Sequence, residues 1–125
     1  MTDSDFELSA PELTRDDLLV VADPRFTDDN VALVTGAASG IGQATAVALA
    51  ANGLTVVGAD IDEDGLAETA DLTATFDAPG HFHPVETDLT DDDDVDAVVE
   101  AAASEGDLRY VANIAGMQHI DPIAE

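Results

Sequence analysis

The chain has 125 residues, 28 acidic and 3 basic, with no cysteine and a formal charge of -25. This length permits one domain or part of a larger one. The scarcity of cations argues against a nucleic-acid interface or docking on anionic lipid, and the absence of thiols excludes disulfides, thiolate catalysis and cysteine metal knuckles.

Lysine is absent and the cations are Arg15, Arg25 and Arg109. A hydrophobic content of 46% is too high for a solvated coil. The acid excess therefore reads as adaptation to concentrated salt, where the Debye length falls to roughly 3 Å at about 1 M and carboxylate repulsion is screened.

Residues 1–29 are Asp- and Glu-rich, carry Pro11 and Pro24, and read as an acidic N-terminal extension of the domain that follows. Within them Asp16 to Ala22 predicts a short helix stopped by Pro24. The run Leu18 to Ala22 is far too short to span a bilayer and follows no basic segment, so the expectation is a cytoplasmic chain with no signal peptide.

Residues 30–125 alternate regularly. Val31-Ala32-Leu33-Val34 suits a strand buried on both faces. A Gly-rich turn leads into an Ala-rich helix over Gln43 to Asn52, closed by Gly53. Leu54 to Ala59 predicts a second buried strand, and Asp64 to Phe76 a helix ended by Pro79-Gly80. His81 to Glu86 predicts a third strand, which Pro84 places near a sheet edge. Thr90 is the expected cap of a third helix with Asp91, Asp92 and Asp93 in its first turn and an apolar stripe of Val95, Val98, Val99 and Ala102. Gly106 closes that helix, and Leu108 to Ile114 predicts a fourth strand. Repeated β-α-β units imply a parallel sheet with right-handed crossovers.

Between the first strand and first helix stands Thr35-Gly36-Ala37-Ala38-Ser39-Gly40-Ile41-Gly42. Its glycines remove side chains where backbone must turn tightly and approach a ligand, and the amides of residues 39–42 begin a helix, a ready site for a pyrophosphate. Asp60 ends the second strand, where a carboxylate accepts hydrogen bonds from the adenosine ribose hydroxyls. That carboxylate would repel a 2′-phosphate and no Lys or Arg stands nearby to receive one, which favours NAD over NADP.

These residues resemble the short-chain dehydrogenase/reductase family, whose loop Thr-Gly-x-x-x-Gly-x-Gly is matched in full by Thr35 to Gly42. Asp88-Leu89 sits where the family has an Asp that contacts adenine. Asn113-Ile114-Ala115-Gly116 stands in place of its Asn-Asn-Ala-Gly motif, with Ile114 as the departure. The resemblance covers residues 30–125 and implies the N-terminal half of an α/β, Rossmann-type doubly wound parallel sheet in strand order 3-2-1-4. It implies an NAD-dependent enzyme acting on a secondary alcohol or ketone, with Thr35, Gly36, Ser39, Gly40, Ile41, Gly42, Asp60, Ile61, Asp88, Leu89, Asn113, Ala115 and Gly116 around the cofactor.

Gly116 to Ile123 is similar to the corresponding segment of 3-hydroxybutyrate dehydrogenases, which gives Gln118 a role in holding the substrate carboxylate. The family's catalytic Ser and Tyr-x-x-x-Lys lie well beyond the fourth strand. Tyr110 sits within that strand and no lysine exists, so no catalytic residue is assigned. The expectation is a chain that supplies the cofactor-binding half and is inactive alone, with a homotetramer as the family's complete form. An unpaired outer edge on the fourth strand further predicts poor folding or self-association of the 125-residue chain.

Two other readings compete. Asp60-Ile61-Asp62-Glu63-Asp64-Gly65 with Asp71 nearly spells an EF-hand calcium loop, although Asp stands where a bidentate Glu is wanted and a strand precedes it. A non-catalytic nucleotide-binding protein would carry the same glycine loop. His81 and His83 share one strand face, but with no Cys and no organised third ligand no metal site is assigned.

Overall fold

In a computed structural model that describes residues 14–116, the β-branched, doubly apolar runs become the two central strands. These are β1 (Asn30–Thr35) and β2 (Thr55–Asp60). Both are buried almost throughout, as parallel strands covered on two faces must be. Outside them lie β3 (His81–Glu86) and β4 (Asp107–Asn113), giving a parallel sheet in the order β3-β2-β1-β4. Pro84 lies on an edge strand, where its missing N–H leaves no ladder bond unmade.

Three helices cover the sheet: α1 (Gly40–Ala51), α2 (Glu63–Thr75) and α3 (Asp92–Glu105). On one face Ala46 and Ala50 of α1 and Leu66 of α2 pack on Ala32, Val34 and Val56. On the other, Val98 and Ala102 of α3 pack on Val31, Leu33, Val57 and Ala59. Alanine favours the helix and, having no bulk beyond Cβ, lets α1 lie close to the strands. Two core layers around one sheet make the doubly wound arrangement expected from the alternation.

Two local expectations are corrected. Asp16 to Ala22 does not form a helix; a single 3-10 turn occupies Arg15–Asp17, and residues 18–23 have no regular structure. A tertiary contact overrides the local pattern. The Asn52 side chain accepts from Val21 N at 2.6 Å and donates to Leu19 O at 2.8 Å, holding the intervening backbone open. The cap of α3 is Asp91 and not Thr90. The Asp91 carboxylate accepts from Asp93 N at 2.9 Å and Asp94 N at 3.4 Å, whereas the Thr90 hydroxyl donates to Asp88.

The residues leading into β1 run across the amino ends of the strands. Thr55 Oγ1 donates to Asp28 O at 2.8 Å, Asp107 N donates to Asp29 O at 2.9 Å, and Phe26 meets Tyr110 edge to face. The register between β1 and β4 slips at Val31/Ala32, leaving Arg109 as an extra residue whose Nε donates to Asn30 Oδ1. The carboxyl ends of the strands stay uncovered by this segment.

Candidate functional site

The turn from β1 into α1 is shaped by close backbone approach. Gly36 has φ +73°, and a Cβ there would lie 2.9 Å from Ala115 N. A Cβ on Gly42 would run into the Gly36 carbonyl oxygen. Glycine at both positions lets the loop fold back against α1 and reach the end of β4.

Ser39 is the N-cap of α1, with extended backbone and a side chain that makes no cap bond. The amides of Gly40, Ile41 and Gly42 therefore have no partner within the helix. By contrast, the Asp62 carboxylate caps α2 through Gly65 N, as Asp91 caps α3.

Asp60 stands across from this turn. Its Oδ2 accepts from Ala38 N at 3.1 Å and its Oδ1 from Asp62 N at 3.0 Å. A carboxylate has about four lone-pair sites, so two amides leave acceptor capacity on the crevice side. The Thr35 hydroxyl, buried at the end of β1, accepts from Ile114 N at 3.0 Å and Ala115 N at 3.1 Å and so fixes the chain leaving β4. Asp88 Oδ1 accepts from the Thr90 hydroxyl at 2.6 Å and from Thr90 N at 2.9 Å, which holds its carboxyl below the usual carboxylate range.

These groups enclose a crevice of about 690 Å³ at the carboxyl ends of the strands, where doubly wound sheets bind their ligands. The sequence-derived residues Gly36, Ser39, Ile41, Gly42, Asp60, Ile61, Asp88, Leu89, Ala115 and Gly116 line it together. Thr35, Gly40 and Asn113 stand outside the lining, and Gln118 lies outside the described residues. Thr87, Thr90 and Ile114 line it as well; Ile114 is the position at which the motif departs, whereas Thr87 and Thr90 carry no site signal in the sequence, since Thr at a strand or loop end marks none. Ile41, Ile61 and Leu89 expose apolar surface along its rim.

Among the described residues, the lining contains two carboxylates and no cation. A ligand bearing negative charge would have to be met by backbone amides and the α1 dipole. Tyr110 is outside the lining and packs against Phe26.

The geometry disfavours calcium. Asp60 and Asp62 already accept from backbone amides, Asp62 is engaged as a helix cap, and a strand precedes them. The histidines do not converge either: His81 Nε2 faces Asp28 at 3.6 Å and His83 Nε2 faces Glu105 at 3.4 Å. Among the described residues, no helix is long and apolar enough to cross a membrane.

A family model described as short chain dehydrogenase matches residues 30–125. A cis-4-hydroxycyclohexanecarboxylate dehydrogenase from Sinomonas cyclohexanicum is 46% identical over 90 residues, covering 71% of this chain and 35% of that protein. This chain thus spans about a third of the length of the curated relatives it matches. Among solved structures, an L-sorbose reductase from Gluconobacter frateurii complexed with NADPH and L-sorbose is similar at 33% identity and a TM-score of 0.67. The alignment covers 78% of this chain and 37% of that one. A carveol dehydrogenase from Mycobacterium avium in complex with NAD is similar at 28% identity and a TM-score of 0.64, covering 74% and 37%.

Proposed function

The chain belongs to the short-chain dehydrogenase family, and from that premise we propose that it supplies the dinucleotide-binding half of an NAD-dependent oxidoreductase. In this reading the crevice holds the adenosine diphosphate portion of the cofactor. The observation that carries the reading is the uncapped start of α1, set behind a glycine turn and beside Asp60. Added Cβ atoms at positions 36 and 42 would collide with Ala115 N and the Gly36 carbonyl, and so would force open the turn that presents these amides.

Each residue has a defined task in this proposal. Ser39, Gly40, Ile41 and Gly42 present amides to the diphosphate, with Thr35 and Gly36 shaping the turn from behind. Asp60 accepts from the ribose hydroxyls with the lone pairs that its two internal amides leave open. Ile61 and Leu89 flank the adenine and Asp88 accepts from its amino group. Asn113, Ala115 and Gly116 let the nicotinamide end pass at β4. Bound there, the cofactor supplies hydride exchange with a carbinol or carbonyl carbon, while the protein contributes orientation and electrostatics.

The preference for NAD rests on Asp60 and on a lining without Lys or Arg, because a 2′-phosphate would add charge next to a carboxylate with nothing to neutralise it. The proposed substrate is a secondary alcohol or its ketone, with 3-hydroxybutyrate and acetoacetate as the first pair to test through Gln118. The relative from Sinomonas cyclohexanicum is itself named for a hydroxy acid. The acid excess supports a halophilic setting; a homotetrameric complete form is proposed by analogy with the family, and a cytoplasmic location from the sequence reading above.

Fluorescence titration of the 125-residue chain with NADH and NADPH across a KCl series tests this. NADH should bind at least roughly tenfold more tightly than NADPH. Its affinity should rise with salt, since added ions screen the repulsion between an acidic chain and an anionic cofactor. Equal affinities would overturn the NAD assignment, and no binding of either by a chain whose circular dichroism shows it folded would overturn the site.

A further inference from the structure

Behind the glycine turn lies a polar contact that neither the turn motif nor the crevice lining includes. Thr69, in the middle of α2, is fully buried. Its hydroxyl donates to Ala37 O at 2.7 Å, with Gly65 O one turn back at 3.1 Å, and accepts from Gln43 Nε2 at 3.1 Å. Gln43 Nε2 also reaches Ala38 O at 3.3 Å. Gly65 permits this approach, because a Cβ there would sit 2.7 Å from both Ala38 Cβ and Ala38 O. Residues four apart share a helix face, so the gap at Gly65 and the hydroxyl of Thr69 serve the same docking surface.

The consequence follows from peptide geometry. In a trans peptide the carbonyl and the N–H point in opposite directions. The peptide joining Ala37 to Ala38 is gripped at both ends, its carbonyl by Thr69 and its N–H by Asp60. The next peptide has its carbonyl, Ala38 O, drawn back toward Gln43. Its N–H, that of Ser39, must then face the other way, toward the crevice that Ser39 lines.

We propose that Gln43 and Thr69 are positioning residues that aim the Ser39 amide at the phosphates of the bound dinucleotide. The proposal rests on the dinucleotide reading above. Without the latch only the Asp60 bond to Ala38 N would hold these two peptides, and the site would have to order the Ser39 amide at the moment of binding.

Calorimetric titration of the 125-residue chain in molar KCl, with ADP and with adenosine as probes, tests this. Only ADP carries phosphates, so a latch that aims an amide at phosphate should change its affinity alone. Gln43→Met and Thr69→Val should each weaken ADP roughly tenfold and leave adenosine unchanged, with Thr69→Ser restoring ADP. Equal losses for ADP and adenosine would reveal a purely structural role and overturn the proposal. So would parental ADP affinity in both Gln43→Met and Thr69→Val. If Thr69→Val does not fold, Gln43→Met alone decides between these outcomes. A parent chain that binds neither probe would instead overturn the dinucleotide reading, and the latch with it.

Discussion

The amino ends of α1 and α3 differ in one respect that matters. α3 begins with four consecutive aspartates, and the first of them, Asp91, folds its carboxylate back onto the helix amides. α1 begins with Ser39, whose side chain makes no such bond, followed by glycines and an exposed isoleucine. In a chain this rich in carboxylates, an aspartate at the start of α1 would have been an ordinary choice for stability. Its absence leaves a partial positive charge facing the crevice. One helix end is closed by its own chain, and the other is left open to the crevice.

The strongest way to break this contrast is Gly42→Ala. The added methyl would meet the Gly36 carbonyl, so the turn must open. Differential scanning calorimetry should show a loss of about 2–3 kcal/mol, and NADH binding should disappear. Ser39→Asp and Asp91→Ala sharpen the contrast by exchanging the two ends. Ser39→Asp should raise stability in molar KCl by about 0.5–1 kcal/mol while weakening NADH roughly tenfold or more, because a built-in carboxylate would occupy the amides. Asp91→Ala should cost about 1 kcal/mol and leave NADH affinity as in the parent. A Ser39→Asp chain that bound NADH normally would contradict the assignment of the α1 terminus.

The smallest effect concerns the segment at the other end of the strands. The Arg25 side chain and backbone amide hydrogen-bond the Asp23 carboxylate and lower its pKa to about 2. A group whose folded pKa is depressed stabilises above its unfolded value, near 3.9, and loses that contribution as pH falls toward about 2. Arg25→Gln should therefore unfold slightly more readily than the parent at pH 6, and the difference should vanish between about pH 4 and pH 2. Urea titrations at several pH values would measure it. Because Arg25 is mostly exposed, the effect should be small and should shrink further in high salt.

The elements were legible in the sequence where one physical signal dominated. Doubly apolar Val31–Val34 admitted a buried strand and little else, and Pro84 marked a sheet edge because a proline cannot serve a central ladder. Where two signals competed, local reading failed. Thr90 and Asp91 are both good caps, and the choice fell to Asp91 because the Thr90 hydroxyl is committed to Asp88. Asp16 to Ala22 had helical composition, but the decisive group was Asn52, distant in sequence. The glycine turn and Asp60 could be placed beside one another from their positions at two strand ends. The hydroxyl of Thr69 could not, since a threonine inside a helix announces nothing until the helix is docked against the turn.

The two outer strands also set how the sheet can grow. Along β3, Pro84 removes a donor and interrupts any partner laid beside it. Along β4, the stretch Tyr110–Asn113 beyond the register slip has no proline, and Val111 exposes a β-branched side chain. The sheet is therefore directional: further strands can be recruited past β4 and are discouraged past β3, whichever polypeptide provides them.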